Sequence, residues 1–186
     1  MSSHAPDLPL LIAALHYAAQ QHRDQRRKDE DATPYINHPI SLLHILAVEA
    51  GVTDTEVLCA AVLHDVIEDC ADSPAEREQR ASEIQGQFGS EVLAIVQDVT
   101  DDKDLPKAER KQHQIDHARQ LMHGAKLVKL ADKTANLRDV ANNAPPDWSL
   151  ERRREYFDWA KAVVDAIGPA HFGLRKLFDQ ACAERP

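Results

Sequence analysis

Several residue types that mark whole classes of protein are scarce in this chain of 186 residues. Aromatic residues make up 5% of it, and there are 6 glycines and 3 cysteines. Cys59, Cys70 and Cys182 lie far apart and form no CxxC pair, which disfavours a disulfide framework or a thiolate zinc site. No run of about 18 apolar residues occurs, and residues 1–9 lack the basic start of a signal peptide. We therefore expect a cytoplasmic protein.

Positive charge is also in short supply. The chain has 22 Lys and Arg against 31 Asp and Glu, a formal net charge of −9. Polymeric nucleic acids and anionic membranes attract proteins with a positive field, so we expect neither as a partner. The composition, 43% hydrophobic and 28% charged, is typical of a globular protein. The length predicts a single domain over residues 1–186, with its core at about 8–168.

Apolar residues recur at helical spacing along almost the whole chain, and no segment alternates as a strand would. Pro39, Asp54, Ser73 and Pro106 are typical helix starts, and Gly51 is a typical helix end. The first predicted helix ends near His22. Two more run from Pro39 to Gly51 and from Asp54 through Ile67, and four others begin after Ser73, Gly86, Pro106 and Gly124. Two more cover about 150–167 and 169–183. The pattern predicts an all-α helical bundle.

The helix predicted through Ile67 carries a dense polar group in the sequence L63-H64-D65-V66-I67-E68-D69. On a helix, His64 lies beside Glu68 and Asp65 lies beside Asp69. An isolated His-Asp pair is more often part of a solvated face. Here the apolar residues around it predict a central helix, in which unpaired charges are costly. A divalent cation would be a suitable partner, and carboxylates beside such an ion can orient and deprotonate water.

Two further donors are expected from other helices. His38 is held at a helix start by Pro39, and Asp132 follows Leu130 and Ala131 on an apolar helix face. Two His and two Asp leave open positions on an octahedral ion. This donor set favours manganese, with iron and magnesium as alternatives, over the closed tetrahedral site of structural zinc.

These residues occur in segments that resemble a known family. His38, His64-Asp65 and Asp132 match the H…HD…D signature of the HD phosphohydrolase superfamily. Longer segments are similar to the hydrolase domain of RelA/SpoT proteins, above all to the stand-alone small alarmone hydrolases that include the metazoan SpoT homologue. They are R26-R27-K28-D29, P34-Y35-I36-N37-H38-P39, A60-A61-V62-L63-H64-D65-V66-I67-E68-D69, F88-G89, V99-T100-D101-D102-K103, K126-L127-V128-K129-L130-A131-D132-K133 and N136-L137-R138-D139.

The resemblance implies an all-α HD domain that removes the 3′-pyrophosphate from guanosine tetra- or pentaphosphate, using manganese. It implies that His38, His64, Asp65 and Asp132 bind the metal, and that Glu68 and Asp69 activate water and transfer protons. It further implies that the substrate contacts Arg27, Lys28, Asn136 and Tyr156. Lys103, and then Lys107 or Arg110, are weaker candidates for phosphate contacts. Because the chain ends at Pro186, we expect degradation of the alarmone without synthesis.

Three places depart from the family pattern. Cys70 stands where Thr is usual, the spacer over residues 71–82 is longer than usual, and Thr134-Ala135 replaces larger residues before Asn136. The last change could reshape the base pocket, so adenine alarmones stay open as substrates.

Local clusters of positive charge suit a small polyanion despite the net negative charge. Arg26, Arg27 and Lys28 form one predicted cluster, and Lys126, Lys129 and Lys133 form another around Asp132. Two other functions stay open: a phosphatase for another nucleotide, such as the 2′-phosphate of NADPH, and a catalytically silent nucleotide-binding module. His113 and His117 are four residues apart but have no evident third donor, which favours a solvated face. Monomer and homodimer are both compatible with the sequence.

Overall fold

The computed structural model describes residues 5–186, which form helices joined by short loops. The elements are α1 (Leu8–Gln21), α2 (Asn37–His44), α3 (Thr55–Leu63), α4 (Val66–Asp69), α5 (Pro74–Phe88), α6 (Ser90–Val99), α7 (Lys107–His117), α8 (His123–Asn142), α9 (Leu150–Ile167) and α10 (Phe172–Ala183). Within this part of the chain, β-pairing is limited to an isolated bridge between Arg26 and Pro34. The prediction of an all-α fold is confirmed.

Helix starts follow the capping residues that the sequence contains. The Asp54 side chain accepts a hydrogen bond from the backbone N–H of Val57 at 3.1 Å and so caps α3. Ser73 and Glu76 form a reciprocal capping box at the start of α5. The long spacer over residues 71–82 is therefore mainly the beginning of a regular helix.

Two predicted helices are divided in the structure. The helix expected from Asp54 through Ile67 is interrupted at His64 and Asp65, which separate α3 from α4. The apolar stripe after Gly86 belongs to α5 and α6, which meet at Gly89 with φ 95°. Glycine tolerates this positive φ without steric cost. Residues Ile45–Glu49 continue α2 as a π-helical turn, and Gly51 with φ 71° follows it.

Helix α8 lies at the centre and packs against α2, α3, α6, α9 and α10. Most of its residues are buried, including Lys129 and Lys133. Of the lysines expected around Asp132, Lys133 contacts that carboxylate, whereas Lys129 donates to the carbonyl of Val99. Near its start, a Cβ on Gly124 would lie 2.7 Å from Ile95 Cδ1, so α6 and α8 could not approach as closely with a larger residue. This central helix carries Asp132 and Asn136.

Helix α10 also contributes to the core through Leu174, Phe178 and Ala181. Among residues 5–186, the helices are all too short or too polar to cross a membrane.

Candidate active site

The four predicted metal ligands come together from three parts of the bundle. His38 lies in the first turn of α2, His64 and Asp65 lie at the break between α3 and α4, and Asp132 lies in the middle of α8. Ligand atoms of His38, His64 and Asp65 are all within 4.8 Å of one another. His38 Nε2 is 3.3 Å from Asp132 Oδ1, which brings the fourth residue into the same group. We call these four residues the metal cluster.

The tautomer of His64 follows from its hydrogen bonds. His64 Nδ1 lies 2.8 Å from the carbonyl oxygen of Ala61, which can only accept, so Nδ1 carries a proton. His64 Nε2 lies 2.8 Å from Asp65 Oδ2, and a lone pair on this nitrogen would face the carboxylate. Either a second proton or a cation must stand between them. The site therefore fits a divalent metal ion, which competes with protons for such donors.

The electrostatics of the metal cluster lead to the same conclusion. Burial alone would lower the pKa of His64, but the carboxylates of Asp65 and Asp132 raise it to about 9. Burial opposes the ionisation of Asp65, yet His64 and His38 hold the pKa of that carboxyl well below its usual range. Two charged carboxylates thus share a buried site with two imidazoles, and this arrangement attracts positive charge, whether a proton on His64 or a bound cation.

Other side chains orient the ligands. The Tyr35 hydroxyl donates to Asp65 Oδ2 at 2.5 Å. Asn136 Nδ2 donates to Asp132 Oδ1, and Lys133 Nζ donates to Asp132 Oδ2 at 3.1 Å. Burial opposes the charge of Asp132, but Lys133 and His38 hold its pKa well below the usual range. Such second partners commonly fix the geometry of metal ligands.

One atom of the metal cluster stays unsatisfied. His38 is buried, and among residues 5–186 its Nδ1 finds no hydrogen-bond partner. Its Nε2 faces the carboxylates of Asp132 at 3.3 Å and Asp65 at 4.0 Å. The imidazole therefore presents one nitrogen to the place where a cation fits.

The predicted acid-base pair lies beside the metal cluster, on α4. Glu68 Oε2 accepts a hydrogen bond from the backbone N–H of Asp101 at 3.0 Å. Burial is the main reason why the pKa of Glu68 rises to about 7, although the N–H of Asp101 opposes the shift. Asp69 accepts hydrogen bonds from Gln25 Nε2 at 3.2 Å and from Lys103 Nζ. A carboxyl with a pKa near 7 suits proton transfer at neutral pH.

A cavity of about 610 Å³ opens next to these groups. Its lining brings together His38, Asp69 and four of the predicted substrate contacts, Arg27, Lys28, Asn136 and Tyr156. The guanidinium of Arg27 donates to Asp139 Oδ2 at 2.6 Å and to Asn136 Oδ1 at 3.2 Å. We call this space the main cavity. Cavities of this size accommodate ligands such as nucleotides.

The remaining candidate cations lie outside the main cavity. Lys103 contacts Asp69, and a direct contact between Lys103 and substrate stays a prediction. Lys107 and Arg110 line an adjoining cavity of about 460 Å³, which shares Trp148 and Tyr156 with the main one. Lys129 points away from both cavities and donates to the carbonyl of Val99 at 3.0 Å.

Thr134 and Ala135, which depart from the family pattern, lie away from the main cavity. Both are buried, and neither lines the main cavity. The Thr134 hydroxyl donates to the carbonyl of Leu130 within α8 at 2.7 Å. These two residues therefore do not form the wall of the main cavity. Cys70 is partly buried and lies 3.2 Å from His22 Nδ1.

Sequence reasoning overlooked several residues of the site. Tyr35, Gln25, Trp148 and Asp139 all line the main cavity. Tyr35 lies three residues before His38, so its position in the sequence could have indicated that it lies near the metal cluster. The contact between Gln25 and Asp69 joins residues 44 positions apart, and nothing in the local sequence indicates it.

Comparisons with known proteins agree with this geometry. Residues 14–158 match the family model described as HD domain. The chain is 47% identical over 176 residues to the guanosine-3′,5′-bis(diphosphate) 3′-pyrophosphohydrolase MESH1 of Danio rerio, covering 95% of this chain and 94% of that protein. It is 50% identical over 157 residues to MESH1 of Homo sapiens, covering 84% of each.

A solved structure supports the same relationship. A metazoan orthologue of SpoT that hydrolyses ppGpp and plays a role in starvation responses has a TM-score of 0.88 and 45% identity to this chain, covering 98% of both. The fold and the His-Asp cluster define an HD-domain protein, and the chain belongs to the HD-domain family. Within that family, it is similar to the stand-alone MESH1 proteins over most of their length.

Proposed function

We propose that this protein is a metal-dependent hydrolase that removes the 3′-pyrophosphate from guanosine 3′,5′-bis(diphosphate), releasing GDP and pyrophosphate. The observation that carries the proposal is the buried metal cluster on the elements that also carry Glu68 and Asp69, with His38 and Asp69 lining a cavity together with Arg27 and Lys28. The similarity to pyrophosphohydrolases over nearly the whole chain supports this substrate class.

We assign His38, His64, Asp65 and Asp132 as the ligands of one divalent ion. Mixed imidazole and carboxylate donors suit manganese, with iron and magnesium as weaker candidates. When bound, such an ion supplies Lewis-acid activation of the phosphoryl group and neutralises developing charge. Tyr35, Lys133 and Asn136 hold the ligand carboxylates in orientation through the hydrogen bonds described above.

Glu68 and Asp69 are assigned to proton transfer. Asp69 lines the main cavity and accepts the proton of the attacking water. Glu68, with a pKa of about 7, exchanges a proton at the pH of the cell and is held by the backbone of Asp101. The water oxygen forms a bond to the phosphorus attached to the 3′-oxygen, the bond between that phosphorus and the 3′-oxygen breaks, and the 3′-oxygen of GDP takes up a proton while the water oxygen stays with the pyrophosphate.

Arg27 and Lys28 are assigned to the phosphates, and Asn136 and Tyr156 to the nucleoside. Arg27 is anchored by Asp139 and Asn136, so its guanidinium is fixed at the cavity wall before a ligand binds. The Tyr156 ring packs between Trp148 and Trp159, at 5.5 Å and 5.3 Å between ring centroids, and offers an aromatic surface to a base. Lys103 stays a candidate for a phosphate contact next to Asp69.

The test is product analysis with manganese-loaded protein and a panel of nucleotides. Guanosine 3′,5′-bis(diphosphate) should yield equal amounts of GDP and pyrophosphate, and chelation of the metal should stop the reaction. The panel includes the adenine analogue and NADPH, because these separate the substrate classes that the sequence leaves open. Failure to form GDP with manganese, iron or magnesium would overturn the proposal. Binding without turnover would identify a silent nucleotide-binding module instead.

A further inference from the structure

Two polar residues near the end of α1, His22 and Gln25, form a chain of contacts that leads to Asp69. Gln25, in the turn after α1, donates from Nε2 to Asp69 Oδ2 at 3.2 Å. The same amide has its Oε1 2.6 Å from His22 Nδ1. Because a carboxylate can only accept, the Gln25 amide has one orientation, and His22 Nδ1 must carry the proton.

His22 is suited to act as a neutral donor. It is 1% exposed, and burial lowers its pKa. Its ring stacks on Tyr35, with centroids 4.8 Å apart and planes at 28°. Cys70, whose pKa burial raises to about 12, lies as a thiol against the same ring. The ring is therefore held from both sides in a fixed orientation.

The backbone of this segment is also tied down. Gln25 N–H donates to the carbonyl of His22 at 3.0 Å, and Tyr35 N–H donates to the carbonyl of Gln25 at 3.1 Å. Tyr35 in turn holds Asp65, a residue of the metal cluster, through its hydroxyl. One buried imidazole thus supports the segment that orients both Asp65 and Asp69.

We propose that His22 and Gln25 are positioning residues for hydrolysis, with His22 fixing the Gln25 amide so that Gln25 holds Asp69 toward the metal cluster. The inference rests on the function proposed above and assigns these two residues a part in it. Lys103 holds the other oxygen of Asp69, so removal of Gln25 leaves that carboxylate tethered at one oxygen and free to rotate.

The first test uses Gln25→Met, which keeps the side-chain length and removes both polar atoms. We expect kcat to fall 10- to 100-fold, as displacement of a reacting group does, with KM for guanosine 3′,5′-bis(diphosphate) and manganese content within about twofold of wild type. Gln20→Met is the matched control, since Gln20 is exposed and contacts His16 on α1. Retention of wild-type kcat by Gln25→Met, or an equal fall in Gln20→Met, would overturn the inference.

A double-mutant cycle separates positioning through Gln25 from a general structural role of His22. His22→Leu should lower kcat in the wild-type background and have little further effect in the Gln25→Met background. His22→Asn, whose amide nitrogen can replace the Nδ1 donor, should restore most of the rate. Additive losses, or no rescue by Asn, would show that His22 acts by packing alone.

Ring ¹⁵N NMR of His22 tests the inference independently of enzyme activity. Neutral His22 with the proton on Nδ1 is expected at pH 7, and the Nε2–H tautomer or an imidazolium would overturn it. If wild-type protein does not hydrolyse the alarmone, the proposed substrate is wrong, while this spectrum still decides whether the His22–Gln25–Asp69 chain exists.

Discussion

The metal cluster and the main cavity share a boundary but hold their side chains in different ways. In the metal cluster, the side chains of His38, His64, Asp132 and Asp65 are 2%, 6%, 13% and 17% exposed, and each carboxylate has a further protein partner. Across the boundary, Lys28 is exposed, and Asp139, the partner of Arg27, has a side chain 45% exposed. The buried side holds each ligand through contacts within the protein, whereas the open side leaves side-chain surface free to contact a ligand.

Asn136 connects the two regions. Its Nδ2 donates to Asp132 in the metal cluster, and its Oδ1 accepts from Arg27 in the cavity wall. If the two regions differ in this way, substitutions in the metal cluster should lower kcat and metal content, whereas substitutions in the wall of the main cavity should raise KM.

The largest effect is expected for Asp132→Ala. It removes a carboxylate from the buried cluster and leaves Lys133 without its partner, so the protein should lose bound metal and at least 1000-fold in activity. Metal content and turnover measure this directly. Asp139→Asn, on the same helix but in the cavity wall, should keep the metal. If both variants retain metal, the ligand assignment is wrong.

Glu68→Gln should have the next largest effect. The amide keeps an oxygen that can accept from the N–H of Asp101 but cannot exchange a proton, so kcat should fall about 100-fold or more. Metal content should stay at the wild-type level, in contrast to Asp132→Ala. Loss of metal together with activity would place Glu68 among the ligands instead.

The same residue predicts a dependence of stability on pH in the metal-free protein. Burial raises the pKa of Glu68 from 4.5 to about 7, so between these values the folded protein binds a proton that the unfolded chain has released. The contribution of this group to stability is therefore lost as pH rises from about 4.5 to 7, by on the order of 1–3 kcal/mol.

Urea denaturation at pH 5 and pH 8, compared between wild type and Glu68→Gln, isolates this contribution. The Gln variant should gain stability relative to wild type at pH 8 and much less at pH 5. An equal difference at both values would mean that the Glu68 carboxyl titrates normally.

The smallest effect is expected in the cavity wall. Arg27→Met removes the guanidinium that Asp139 and Asn136 hold, and KM should rise about 10-fold while kcat changes by less than about threefold. Arg23→Met is the matched control, because Arg23 is exposed and pairs with its neighbour Asp24. A fall in kcat with unchanged KM would show that Arg27 acts in the reaction itself, together with the metal cluster, rather than in ligand binding.

Much of the fold could be predicted because its signals are local. Asp54, Ser73 and Pro106 mark helix starts through side-chain capping or a fixed φ, and those starts are observed within a residue. The break at His64 and Asp65 was missed, because the residues on both sides of this pair, 57–63 and 66–67, are apolar and contain no glycine or proline.

Candidate site residues could be predicted where they occur together in a short sequence motif, and less well where their role depends on how deeply they are buried. His64, Asp65, Glu68 and Asp69 stand together in the sequence. Pro39 marked His38 as a donor held at a helix start, and the apolar flanks of Asp132 indicated a buried donor. Lys129 and Lys133 were grouped with Lys126 around Asp132 because spacing defines a helix face, but spacing does not show how deeply that face is buried. Only the central position of α8 shows that both lysines are buried.

Helix α9 and the loop before it have a practical consequence for studying ligands. The chain contains two tryptophans. Trp148 lines the main cavity, and Trp159 lies beneath the ammonium of Lys133, 4.4 Å from its ring centroid. Indole emission responds to nearby charge, so both fluorophores lie where an arriving polyphosphate changes the local field. Intrinsic fluorescence can therefore report occupancy of the cavity in real time and without a label.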